Sequence, residues 1–163
     1  MTSTPAPAGF AGLYERHSEA VFRAAFRVTG NAADAEDVLQ TVFLRLLSRN
    51  EPDEAAGRPD AYFRRAAVNA AVDLLRRRVV RAETTYDDAA PHAAMKLEPA
   101  LLLKEQLRRA LSTLETDDAT LFLLRYVEGL SNQELADEFR LEKNHVAVRL
   151  HRIRQRLQTE MER

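Results

Sequence analysis

The chain has 163 residues, 45% hydrophobic and 30% charged, with five glycines and a net charge of −1. That length holds one ordinary domain or two small ones, and the composition suits an all-α protein with several separate helix faces. It contains no cysteine, which excludes disulfides and thiolate metal sites and agrees with a cytoplasmic protein.

Residues 1–9, rich in Thr, Pro and Ala, read as a disordered tail. They lack the basic and apolar regions of a signal peptide. No apolar run approaches the roughly 20 residues that span a bilayer, so no membrane insertion is expected. From Phe10 the pattern turns helical, with Leu13, Tyr14, Val21, Phe22 and Phe26 at spacings of three and four. Gly30 ends that helix, and Asn31 caps the next, with Asp34 three residues on. The second helix, over 32–49, is expected to bury Ala35, Val38, Leu39, Val42, Phe43 and Leu46.

Residues 50–59 form a proline-marked loop. A third helix over 60–80 puts Phe63, Ala66, Ala67, Ala70 and Leu74 on one side and Tyr62, Arg65, Asn69, Asp73 and Arg76 on the other. These three helices make a first domain, 10–80. Residues 81–99 are acidic and lose periodicity, which predicts a flexible linker on which Met95 and Leu97 are the docking candidates.

A second domain, 100–160, begins with a helix over 100–114 that aligns Leu103, Leu107, Ala110, Leu111 and Leu114. The next, 117–128, carries Leu121, Phe122, Leu124 and Tyr126 and stops at Gly129. Ser131-Asn-Gln-Glu134 is a capping box. A short helix follows, then a turn near 140–142, then a last helix with Val146, Leu150, Ile153 and Leu157 on its buried stripe. Short helix, tight turn and basic helix make the pattern of a helix-turn-helix.

Charge is unevenly spread. Residues 60–82 and 142–156 each carry a net +4, and 83–100 carry −3. Two basic segments point to two nucleic-acid contacts on one chain; solvated helix faces are the plainer alternative. On the last helix, His145, Arg149, Arg152 and Arg156 form an outward face suited to phosphates. Asn144, Ala147, Val148 and His151 form a neighbouring face suited to base edges and thymine methyls.

On the third helix, Asp73 is spaced to pair with Arg76 or Arg77, and the arginines suit a nucleic-acid backbone. Arginines near a helix C-terminus are also favoured by its dipole. The acidic start of the second helix, Asp34, Glu36 and Asp37 with Gln40 and Thr41 following, either stabilises that helix or presents a negative surface to a basic protein. Four scattered histidines give no metal-ligand spacing, no glycine-rich phosphate loop is present, and no nucleophile has an evident base nearby. No enzyme, metal site or cofactor is therefore expected.

The run from Thr29 to Leu47 and the run from Tyr62 to Arg78 resemble region 2 of the extracytoplasmic-function (group IV) sigma factors of the sigma-70 family. The stretch Leu123–Ser131 and the helix-turn-helix after it resemble region 4, in the family's order and spacing. The resemblance covers about 10–158. It implies a subunit that binds core RNA polymerase and directs promoter recognition and DNA opening. Asp34, Glu36, Asp37, Gln40 and Thr41 match the surface that docks on the β′ clamp helices. The loop 51–59 with Tyr62, Arg65, Asn69, Asp73, Arg76 and Arg77 matches the part that recognises and melts the −10 element. The linker matches a segment that runs toward the RNA exit channel.

Lys143, Asn144, His145, Ala147, Val148, Arg149, His151 and Arg152 match the −35-binding helix of a domain that also meets the β flap. An anti-sigma factor is a further partner the resemblance implies.

Two positions depart from the family. Its usual turn glycine is replaced by Arg140, and a basic and a small hydroxyl residue on the last helix by Ala147 and Val148. These substitutions keep open an alternative, a sigma-like decoy that binds an anti-sigma factor without initiating transcription. A simple helix-turn-helix repressor is a third reading, separated by whether residues 10–80 bind polymerase.

Overall fold

The computed structural model describes residues 9–49, 57–84 and 99–163. Among them are seven helices and no strand: α1 (Phe10–Thr29), α2 (Ala32–Arg49), α3 (Pro59–Thr84), α4 (Pro99–Ser112), α5 (Thr116–Tyr126), α6 (Asn132–Phe139) and α7 (Lys143–Met161). The all-helical expectation holds. The expected tail (save Gly9), most of the loop after α2, and the linker core with Met95 and Leu97 lie outside the described residues. The chain divides into two compact units, Met1–Ala71 and Val72–Arg163, the division falling within α3.

In the first unit, α1 packs along α2. Gly30 adopts φ 67°, and its N–H closes α1 on Phe26 O at 2.8 Å. Asn31 then accepts from the Asp34 N–H through Oδ1 at 3.2 Å, so the stop and the cap are adjacent residues. All six residues expected inside on α2 are buried. On α1 the outcome is mixed. Leu13 and Val21 are buried together with Ala24, Ala25 and Val28, whereas Phe10, Tyr14 and Phe26 are exposed. Phe10 and Tyr14 still meet the Phe43 ring edge-on, at 6.0 and 4.9 Å. Phe43 stacks on Phe63 at 5.2 Å, and His17 stacks on Phe63 at 4.7 Å.

The helix α3 corrects its expected face. Phe63, Ala67 and Ala70 are buried, but Ala66 and Leu74 are only half-buried. Val68, Ala71, Val72 and Leu75 are buried instead. An alanine-rich helix has no single apolar stripe, so its burial spreads around the cylinder. It also runs four residues into the segment expected to be linker.

The second unit is built on α7, against which α4, α5 and α6 all pack. Val146, Leu150, Ile153 and Leu157 are buried at the expected spacing, as are Leu121, Leu124 and Leu135 on the helices packed against α7. Truncating a buried leucine of this kind costs about 2–5 kcal/mol. On α4 only Ala110 and Leu111 are buried, with Leu114 just after it. Leu107 is half-buried, and Leu103 is exposed with Leu101 and Leu102. The helix has more apolar residues than its neighbours can cover.

Candidate nucleic-acid interface

The link between α6 and α7 decides how α7 is presented. Both arms of the capping box are made: Glu134 N–H donates to Ser131 Oγ at 3.1 Å, and Ser131 N–H donates to Glu134 Oε2 at 2.7 Å. Just upstream, Gly129 takes φ 77°, and Leu130 N–H reaches back to Leu124 O at 3.0 Å. The helix α6 ends on Arg140, which adopts the left-handed conformation at φ 53°, ψ 47°. It is the single described non-glycine residue with positive φ. Leu141 N–H then donates to Ala136 O at 2.9 Å, closing the turn as a glycine-type C-cap does. The turn therefore has the geometry that favours glycine, executed by arginine.

With its buried stripe held inward, α7 exposes Lys143, Asn144, His145, Ala147, Val148, His151 and Arg152. Seven of the eight residues singled out on this helix are thus on its outer side. The eighth, Arg149, is half-buried and paired: its Nε lies 2.6 Å from Asp118 Oδ1 in the first turn of α5. His145, Arg149, Arg152 and Arg156 line one cleft with Leu114, Asp118, Leu141, Val148 and Ile153. Arg154 leaves this face and donates to Tyr126 Oη at 2.9 Å. Sequence spacing gave no sign of Asp118, which sits 31 residues from its partner and reads there as an ordinary helix-start acid.

On α3, Tyr62, Arg65, Asn69, Asp73 and Arg76 are half-buried and Arg77 is exposed. Spacings of three and four align the first five along one side of the helix. Within the second unit, Arg76 Nη1 donates to the Thr116 hydroxyl at 2.8 Å, and that hydroxyl lies 3.5 Å from Asp73 Oδ1.

On α2, Glu36, Asp37 and Gln40 are exposed and Thr41 is half-buried. Asp34 departs from this set. Its side chain is buried, at 2% exposure, so it belongs to the packed start of the helix rather than to the outer acidic face. At this junction the Thr29 hydroxyl donates to Asn31 O at 3.3 Å, and Asn31 Oδ1 accepts from the Asp34 N–H.

Among the described residues no cluster of His, Asp or Glu is suited to a metal ion, and no helix is long and apolar enough to cross a membrane.

The sigma-70 region 2 model matches residues 13–81, and the sigma-70 region 4 model matches residues 104–157. An extracytoplasmic-function sigma factor of Mycolicibacterium smegmatis, SigE, is 30% identical over 89% of this chain, which spans 58% of that relative's length. The sigma-E factor of Streptomyces coelicolor is 30% identical over 88% of this chain and 80% of its own. In fold, the chain is similar to the sigma factor RpoE of Bartonella quintana, solved in complex with the anti-sigma factor NepR. The TM-score there is 0.50 at 19% identity, covering 91% of this chain and 94% of that one.

Proposed function

Because this chain belongs to the extracytoplasmic-function sigma factors of the sigma-70 family, we propose that it is a dissociable promoter-specificity subunit of RNA polymerase whose two regions have separate tasks. Region 2, taken as 10–80, docks on the β′ clamp helices through Glu36, Asp37, Gln40 and Thr41. Its α3 face, with Tyr62, Arg65, Asn69, Asp73, Arg76 and Arg77, engages the −10 element. Capture of flipped bases there offsets an unstacking cost of a few kcal/mol, so opening needs no fuel. Region 4, taken as 100–160, binds the −35 element through α7 and meets the β flap. The segment 81–99 connects them. An anti-sigma factor that holds the free chain inactive is a third partner.

The observation that carries the DNA half of this reading is the outer side of α7. Seven residues at positions suited to bases and phosphates are exposed there, behind a capped helix and a tight turn. A short helix that braces a following basic helix is how such units enter a major groove. The test is transcription reconstituted with core polymerase on promoter DNA. Initiation from a defined start, dependent on this chain, is the expected result. A chain that binds an anti-sigma factor but neither binds core nor supports initiation would be the decoy instead.

A further inference from the structure

The centre of α7's outer side is apolar. Val148 is 50% exposed and Ala147 beside it is exposed. Neither contributes to the core, which Val146, Leu150, Ile153 and Leu157 complete without them. The groups that border them are polar or charged: Asn144 and His145 before, His151 and Arg152 after. Arg149, next in sequence, has its guanidinium engaged by Asp118 at 2.6 Å. A duplex that docks on this helix therefore meets methyl groups at the middle of the contact and hydrogen-bonding groups only around it.

Base edges in the major groove carry donors and acceptors on every pair, and the thymine C5 methyl is the apolar group they offer. Methyls of Ala147 and Val148 set against the amino or keto groups of a G·C pair would displace water and return no hydrogen bond. Set against a thymine methyl, they remove water from two apolar surfaces at once. Val148 is β-branched and stiff at χ1 in a helix, so its two methyls have a fixed direction. We infer that Ala147 and Val148 are specificity-determining residues of the −35 contact and read thymine methyls, so that the base pairs facing them are A·T with a defined strand for the thymine. This inference rests on the reading of α7 as the −35 helix.

The test uses full-length chain with core polymerase. Promoters are first selected from a library randomised across the −35 region. Each selected thymine is then replaced by deoxyuridine, which deletes the methyl and leaves every hydrogen-bonding group in place. The expected result is thymine at one or two central positions and a loss of about 3- to 10-fold in affinity on uracil substitution there. Val148→Ser should bind thymine and uracil duplexes alike at one of these positions, the one Val148 faces, with thermal melting showing that the helix is intact. A selected −35 sequence that is indifferent to uracil at every position overturns the inference and leaves the −35 role standing. Absence of any −35 preference overturns both.

Discussion

Arg149 and Asp118 form an ion pair that ties α7 to the first turn of α5, with Nε 2.6 Å from Oδ1 and both side chains partly exposed. A pair of this kind adds little to stability, because solvent screens it. Its consequence for the proposed −35 contact is larger. An arginine that neutralises one phosphate contributes about one unit to the slope of log K against log salt, and here part of that charge is already met within the protein. Asp118→Asn should therefore raise affinity for a −35 duplex and steepen the slope by up to about one unit. Arg149→Ala should weaken binding and flatten the slope by up to about one unit, since it removes one positive charge and leaves the Asp118 carboxylate without its arginine. The double variant should bind better than Arg149→Ala alone. Titrations of labelled duplex at several salt concentrations measure all three, and an unchanged slope in Asp118→Asn would show that the aspartate takes no share of the charge.

Arg140 gives a prediction about stability. Its left-handed backbone costs an L-residue with a β-carbon roughly 1 kcal/mol relative to glycine, and the turn it closes keeps the Leu141 to Ala136 hydrogen bond whatever the side chain. Arg140→Gly should stabilise the second unit by about 1 kcal/mol, a rise of a few degrees in melting temperature. Arg140→Ala is the control, because it keeps the strained conformation and should change little. Thermal melting of the full chain, followed by circular dichroism, makes the comparison. Equal melting temperatures for the glycine and alanine variants would mean that the turn is not strained.

What was legible in the sequence had a local signature. Gly30 followed by Asn31, and Ser131 followed by Glu134, each encode a helix boundary within four residues, and both boundaries are found where those residues stand. The apolar stripe of α2 was legible because its six core residues recur at spacings of three and four, separated mostly by polar and charged residues. The packed side of α3 was not. Alanine and valine occur on all its faces, so period alone could not tell Ala66 and Leu74 from Val68, Val72 and Leu75. On the interface, the outer side of α7 followed from the spacing of its buried stripe. The Arg149–Asp118 pair did not, since it joins helices far apart in sequence, and only packing brings them together.

Asp34 and Asp37 show how the same residue type one helical turn apart takes different work. Asp37 is exposed on α2, with Glu36 and Gln40 exposed beside it. Asp34 is 2% exposed, and its backbone N–H is the one that Asn31 caps. Reversing charge at an exposed helix position alters stability by no more than about 0.5 kcal/mol, but places a cation on the face proposed to dock on polymerase. Asp37→Arg should therefore lower affinity for core polymerase by about tenfold or more while melting stays within a few degrees. Asp34→Ala removes a buried polar group from a packed helix start and leaves whatever it satisfies without a partner. It should destabilise the first unit by about 1–3 kcal/mol, and lower core binding only as far as the folded fraction falls. Core affinity by anisotropy and stability by urea denaturation, run on both variants, separate the two roles. Loss of core affinity in Asp34→Ala at full folding would return Asp34 to the docking face.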